Sequence, residues 1–312
     1  MTPDDLRPAK RPTMYFIGVT TGSSAIHRVF AAWRPVLGLH DVDLVGIDVP
    51  VGAPPAVYRR VVEHLRDDEH SRGALVTTHK LDLYAACHDL FGTVNEDAAR
   101  LREVSALVAR DGNVDGLALD PITSQLALHA LVPRLAGRDV LVMGAGGAAL
   151  ALCDSLAYRA GDESPERVVI TDISADRLAA ITEDVAGGDA SITWQSHLLA
   201  PTATHDDLLA DLAPGALVVN ATGMGKDRPG SPLTDAAVFP RGGYAWDFNY
   251  RGELTFLRQA RVRAAEDQLT VEDGWRYFVH GWTRAIDAVF GLGIPTSGPG
   301  FARLYDAAQE VR

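Results

Sequence analysis

Three groups of residues could do chemistry. The segment "GALVTTHKL", residues 73–81, carries an apolar run into two threonines, a histidine and Lys80. Asp120 closes the apolar "LALD" immediately before Pro121. An amine can take a hydroxyl proton when its surroundings lower its pKa or a carboxylate holds it in place. A residue before proline favours extended backbone, which would let Asp120 face a cleft. The third group is "VLVMGAGGAALAL", where Gly144, Gly146 and Ala149 fill G-x-G-x-x-A between an apolar run and helical text. Glycines there allow a tight turn and let the backbone approach a pyrophosphate at the positive end of a helix. A bound dinucleotide would give the lysine a task, because an alcohol that loses hydride must also lose its proton.

The next apolar run, "RVVITD", ends on Asp172, where a carboxylate would accept hydrogen bonds from the adenosine ribose hydroxyls and repel a 2′-phosphate. This predicts NAD, with NADP disfavoured. Ser174 and Asp176 are equally good caps for the helix beginning near Ala175, and Arg177 is a cation within reach of a phosphate.

The elements that must position these groups alternate. "MYFIGVT", "VDLVGIDVP" and "GALVTT" read as strands, separated by helical text at "AIHRVFAAWRPVL" and "PPAVYRRVVEHLRD". "LDLYAACHDLF" and "NEDAARLREV" are helical, and "SALVARDGNVDGLALD" reads as a hairpin turning at Asp111 and Gly112. A second rhythm follows the helix "ITSQLALHALVPRL": strands at "DVLVMGAG", "RVVITD", "ITWQSHL", "ALVVNAT", "YAWDFNY" and "QLTVEDG". The last long segment, "WRYFVHGWTRAIDAVFG", is an amphipathic helix. The fold class is α/β in two domains: an N-terminal α/β substrate domain at 14–120 with 275–312, and a Rossmann-type dinucleotide domain at 121–274.

Composition narrows the rest. The 312 residues are 47% hydrophobic and 22% charged, with net charge −12, which speaks against nucleic-acid backbones and acidic membrane surfaces as partners. Cys87 and Cys153 lie far apart, form no metal-ligand spacing, and read as buried small hydrophobes in a reduced cytoplasmic setting. "MTPDDLRPAKRP" reads as a frayed leader, not a signal peptide. The stretch 140–153 is too short to span a bilayer. These features predict a soluble protein with no metal; a small-molecule substrate and a monomer or homodimer are expected, with the choice between them open.

The order of the pieces resembles the shikimate/quinate dehydrogenase family across nearly the whole chain. That family's S-x-S-P-x-x-H is similar to "TGSSAIH", with Thr21, Ser23 and His27 at matching places. Its N-V-T-V-P-F-K resembles "LVTTHK", one residue shorter, retaining Thr77 and Lys80. V-N-T resembles "VSA", which puts Ser105 at the asparagine, and N-T-D resembles "ALD", retaining Asp120. Further matches are the loop Gly144, Ala145, Gly146, Gly147 and Ala148; "NATGMG", with Asn220, Ala221, Thr222 and Met224; "DFNYRGELT", with Phe248 and Tyr250; and Gly274 before the final helix.

The resemblance implies that Lys80 and Asp120 are the catalytic pair and that Thr21, Ser23 and Tyr250 hold a substrate carboxylate. It places Thr77 and Ser105 at the substrate too, and His280, next to the family's glutamine position at Gly281, is a candidate replacement contact. The glycine loop, Asp172, Arg177, the Asn220–Met224 residues, Phe248 and Gly274 fall to the cofactor. The family's NADP-preferring members carry N-R-T-x-x-R; "DISADR" has Asp172 and Ile173 instead and keeps only Arg177, in agreement with NAD.

Departures put the substrate in doubt. Leu75, Ser105 and Gly281 stand where the family has polar contacts to ring hydroxyls. His79 and His280 are either replacement contacts or packed histidines. Trp275, Tyr277, Phe278 and Trp282 lie at helical spacing and read as core. "KDRPGSP" at 226–232 reads as a mobile loop, near the nicotinamide if the resemblance holds. The expected activity is hydride transfer between NAD and a secondary alcohol of a small, cyclic polyhydroxy acid. The rivals are a methylenetetrahydrofolate dehydrogenase and a non-catalytic NAD-dependent ligand sensor.

Overall fold

The computed structural model describes residues 1–226 and 228–312 and divides into two compact units. One comprises Met1–Leu119 with Val279–Arg312, the other Asp120–Phe278.

In the first unit, β1 (Thr13–Gly18), α1 (Ile26–Leu37), β2 (Asp43–Asp48), α2 (Pro55–Asp67) and β3 (Ser71–Val76) alternate, followed by α3 (Lys80–Cys87), α4 (Glu96–Leu101) and the hairpin β4 (Ala106–Arg110) and β5 (Asn113–Leu117). The sheet order is β2-β1-β3-β4-β5. The first three strands are parallel, because each is joined to the next by a helical crossover, while β4 runs antiparallel to both neighbours. Arg110 pairs with Asn113 across Asp111 and Gly112, both at positive φ (51° and 72°), the two-residue turn whose twist suits a hairpin. On α2, Tyr58, Val61, Val62 and Leu65 recur at helical spacing and pack with Tyr15, Ile17, Ile47 and Val76 in the core.

The first residues are tied down, unlike the frayed leader expected. The Met1 amine donates to the Gly46 carbonyl, Asp48 N–H donates to the Met1 carbonyl, and Ala9 N–H donates to Asp68.

The second unit opens with α5 (Asp120–Leu131) and continues β6 (Asp139–Met143), α6 (Gly147–Arg159), β7 (Arg167–Asp172), α7 (Ala175–Val185), β8 (Thr193–Leu198), α8 (Asp206–Ala210), β9 (Leu217–Asn220), β10 (Tyr244–Asp247), α9 (Thr255–Asp267) and β11 (Thr270–Glu272). All six strands are parallel, in the order β11-β10-β9-β6-β7-β8. Such a sheet is buried on both faces. Val140 and Val142 of β6 enter one core with Ile170 and Val219, while Leu141 and Met143 enter the other with Val169 and Val218. The chain order reverses between β6 and β9, which opens a crevice at their carboxyl ends.

The helix α10 (Trp275–Phe290) begins in the second unit and ends in the first, followed by α11 (Gly298–Glu310). Within the first unit Trp33 of α1 donates its indole N–H to the Leu304 carbonyl at 2.7 Å, anchoring α11. Of the aromatic cluster read as core, Trp275 and Trp282 are buried, while Tyr277 and Phe278 are half-buried. Among the described residues no helix is long and apolar enough to cross a membrane, and no group of His, Cys, Asp and Glu side chains could hold a metal ion. Cys87 and Cys153 are free and buried, and burial pushes both thiols up, Cys87 to about 12.

Candidate functional site

In the first unit the candidate residues gather at the carboxyl edge of β1, β2 and β3. Lys80 is the first residue of α3, four positions beyond the end of β3. Thr77 lies between them, its N–H and hydroxyl both donating to the Ile17 carbonyl of β1. Thr21 and Ser23 sit in a single 3-10 turn after β1. Ser23 is exposed and donates its hydroxyl to the Thr20 carbonyl, while His27 Nε2 lies 3.0 Å from the Thr21 carbonyl.

Several residues assigned to substrate are turned inward. Thr21 is buried, and its hydroxyl donates to Asp48 Oδ1 at 2.6 Å, joined there by its own N–H at 2.7 Å. In this structure that proton goes to Asp48. Ser105 is buried as well: its hydroxyl donates to the Leu117 carbonyl and accepts the Leu119 N–H at 2.7 Å, a brace for the chain that ends at Asp120. His79 is 1% exposed, its Nδ1 3.1 Å from the Tyr58 hydroxyl, and burial lowers its pKa. His280 is 2% exposed with its ring stacked face to face on Phe301 at 4.2 Å. Both histidines are packed side chains. Leu75 is buried in β3, between Phe16 of β1 and Ala106 of β4. At Gly281, by contrast, an added Cβ would meet no heavy atom within 4 Å.

Asp48 was missed. The signal was available, since Asp48 closes the apolar "LVGID", the same signature that singled out Asp120 and Asp172.

Asp120 opens α5, so the chain there is helical and not the extended segment that Pro121 suggested. Its carbonyl accepts the Thr123 hydroxyl at 3.0 Å, and Pro121 fits because the first helical turn needs no N–H from it.

At the switch point of the second sheet, Gly144 leaves β6 with φ +97°, and a Cβ on it would lie 2.8–2.9 Å from the Ala221 carbonyl and the Thr222 nitrogen. Only glycine lets the two strand ends approach in this way. Gly146 and Gly147 show the opposite: a Cβ at either would meet nothing within 4 Å, so open space lies before the N-terminus of α6. A bare backbone, free N–H groups from Gly147 and Ala148 and a helix N-terminus fit a dinucleotide pyrophosphate. Asp172 faces this loop. Its Oδ2 accepts the Ala145 N–H at 2.7 Å and its Oδ1 the Ser174 N–H at 2.8 Å. Ser174 caps α7, Ile173 is exposed, and Arg177 is exposed in the first turn of that helix.

Across the switch point, Asn220 organises the turn after β9. Its side-chain oxygen accepts the Thr222 N–H and hydroxyl, and its amide donates to Asp247 Oδ1 at 3.1 Å. Asn249 completes the cluster by donating its N–H to Asp247 and its amide to the Met224 carbonyl. Asp247 is fully buried, and burial pushes its carboxyl up to about 7. Phe248 stacks on Tyr277 at 5.3 Å. Gly274 lets the backbone pass Phe248, whose carbonyl a Cβ there would strike. Tyr250 packs against Trp275 and Phe278. In the loop 226–232, Asp227 lies outside the described residues; Gly225 N–H donates to the Arg228 carbonyl beside it.

No family model matches the chain. A curated relative, shikimate dehydrogenase (NADP(+)) of Symbiobacterium thermophilum, is 30% identical over 216 residues, 68% of each chain. Other curated relatives of similar identity carry the same name, one of them over 90% of this chain. Solved structures share the fold as well. Shikimate 5-dehydrogenase from Thermus thermophilus, in complex with NADP(H) and shikimate, has TM-score 0.71 at 23% identity and covers 96% of this chain and 100% of its own. Quinate dehydrogenase from Corynebacterium glutamicum, in complex with NAD, has TM-score 0.73 at 20% identity, covering 96% and 99%.

These relatives overturn the expected preference for NAD, since the curated ones are named for NADP(+). The physical reason lies in Asp172. The prediction took its carboxylate as turned to a ribose, whereas one oxygen accepts the Ala145 N–H of the glycine loop and the other the Ser174 N–H of its own turn. Two domains of α/β type with a Rossmann sheet, the order of motifs and these relatives agree, and the chain belongs to the shikimate dehydrogenase family.

Proposed function

We propose that the protein transfers hydride between NADP(H) and a secondary alcohol carbon on a small polyhydroxylated ring of the shikimate or quinate kind, with Lys80 and Asp120 moving the hydroxyl proton. Retention of Lys80 and Asp120 carries this reading, because the chain has changed Leu75, Ser105 and Gly281 around them and kept the two groups that proton transfer needs. Each opens a helix, α3 and α5, where backbone geometry holds the side chain's root in place. Ser105 adds to this by pinning Leu119, one residue before Asp120.

A nicotinamide dinucleotide, when bound, accepts or supplies the hydride. Gly146, Gly147 and Ala148 would hold its pyrophosphate, and Arg177 the 2′-phosphate, while Asp172 braces the glycine loop. Lys80 takes the alcohol proton as the carbonyl forms, and returns it in the reverse direction. The family resemblance assigns Asp120 to the same proton transfer. Family membership disfavours a methylenetetrahydrofolate dehydrogenase, and a sensor has no need of a proton-transfer pair.

The test is an absorbance assay at the NADPH band over a panel of cyclic hydroxy acids, their neutral analogues and polyols. Turnover is expected with at least one ring alcohol and NADP+, and to be lost in Lys80→Met. NADPH formation that is unchanged in Lys80→Met would remove the lysine from the mechanism.

A further inference from the structure

Asp247 closes β10 at the carboxyl edge of the second sheet and is fully buried. Its Oδ1 accepts the Asn220 amide at 3.1 Å and the Asn249 N–H at 2.9 Å. Both asparagines pass that order on to one turn. Their amides donate to the Met224 carbonyl, and Asn220 Oδ1 takes the Thr222 N–H and hydroxyl. The Thr222 hydroxyl oxygen in turn accepts the Met224 N–H. The backbone gives this turn little stiffness of its own, because Gly223 and Gly225 stand in it at positive φ, 74° and 85°. Where the turn begins, Ala221 N–H donates to the Met143 carbonyl of β6, and Ala221 and Thr222 crowd Gly144. The turn therefore borders the same crevice as the glycine loop.

We infer that Asp247 is a positioning residue for the dinucleotide, fixing the Thr222–Met224 turn against the glycine loop through Asn220 and Asn249. The inference rests on the reading above that this crevice takes a dinucleotide. Among the described residues Asp247 Oδ2 meets no hydrogen-bond partner, so a charge there would be buried and half-satisfied, and the neutral acid suits the cluster. Burial raises the carboxyl to about 7, like charge on Asp273 adds to it, and the asparagine bonds oppose it. Asp273 accepts the Trp275 N–H, and Glu272 and Arg276 pair at 3.9 Å beyond it. β9 and the turn 221–225 bring no charged side chain, while Lys226, Arg251 and Glu253 in the adjoining loops are exposed. Ionised Asp247 needs a donor for Oδ2, which pulls the asparagines out of place and loosens the turn.

The test is fluorescence titration of the full chain with NADPH at pH 6 and pH 8.5. Asp247→Asn keeps the Oδ1 acceptor and the shape of the side chain but cannot ionise. Between the two pH values the parent Kd should rise about fivefold or more relative to that of Asp247→Asn, a comparison that cancels titration of the 2′-phosphate itself. At pH 6 the two Kd values should agree within about threefold, the neutral acid and the amide offering the same acceptor. Asp247→Ala removes the acceptor and should raise Kd about tenfold at both pH values, with faster hydrogen exchange at the Thr222 and Met224 amides. If Asp247→Ala does not fold, the parent and Asp247→Asn profiles still decide. Parallel pH profiles for those two proteins overturn the inference. So does an Asp247→Ala protein that loses thermal stability and keeps the parental Kd, since the residue then supports the fold alone. A parent that is folded by circular dichroism yet binds no NADPH at either pH removes the dinucleotide reading, and the inference with it.

Discussion

Asp172 accepts the Ala145 N–H at 2.7 Å across the turn that opens the dinucleotide cradle, while its other oxygen takes the Ser174 N–H. The carboxylate is a brace between the ends of β6 and β7. Asp172→Ala should therefore leave two N–H groups without an acceptor and destabilise the protein by about 1–3 kcal/mol. Binding of NADP+ and NAD+ should weaken together, read by thermal unfolding and fluorescence titration. A rise in NADP+ affinity would instead mean that the Asp172 charge repels the phosphate.

Arg177 is the cation that stands exposed at the start of α7. If it meets the 2′-phosphate, Arg177→Ala removes a charge-assisted hydrogen bond of about 1.5–3 kcal/mol. The Kd for NADPH should rise about tenfold to a hundredfold, while that for NADH, which has no such phosphate, should stay near the parental value.

Lys80→Met keeps the length of the side chain and removes the amine. Turnover should fall about a hundredfold to ten-thousandfold, the usual effect of a positioned acid–base group. Dinucleotide binding should change little, since Gly144, Gly146 and Gly147 belong to the other unit. Asp120→Asn should also slow turnover, and the double variant should lose less than the two single losses combined.

Asp247 should make stability fall with rising pH. Its pKa is raised by burial to about 7, against an ordinary 3.8, so the folded state holds a proton that the unfolded chain releases. The destabilisation begins near pH 4, grows to about pH 7 and is constant above, reaching at most about 4 kcal/mol. Asp247→Asn should flatten that part of the profile and raise Tm relative to the parent at pH 8 more than at pH 5, by scanning calorimetry.

Two glycines should respond in opposite ways to alanine. Gly144→Ala places a Cβ at φ +97° against the Ala221 backbone, and should cost more than about 1 kcal/mol and weaken dinucleotide binding. Gly281→Ala meets no neighbour within 4 Å and lies inside α10, so it should be neutral or stabilise by up to about 1 kcal/mol. Thermal unfolding of the pair decides both.

The sequence by itself determined the strands and their order, while α11, beyond the last expected helix, came only from the structure. Apolar alternation, the Asp111–Gly112 turn and the glycine cluster before α6 are local patterns, and a residue's neighbours along the chain settle them. Even the retained Lys80 and Asp120 could be found by type and place. Tertiary structure decided what the polar side chains bond to. Thr21 and Asp48 are 27 residues apart, as are Ala145 and Asp172, and each pair meets only because parallel pairing brings two strand ends side by side. A threonine read along the chain is a free donor and an aspartate a free acceptor. Folding joins Thr21 to Asp48 and Asp172 to the glycine loop after β6, pairings that no local pattern along the chain reveals.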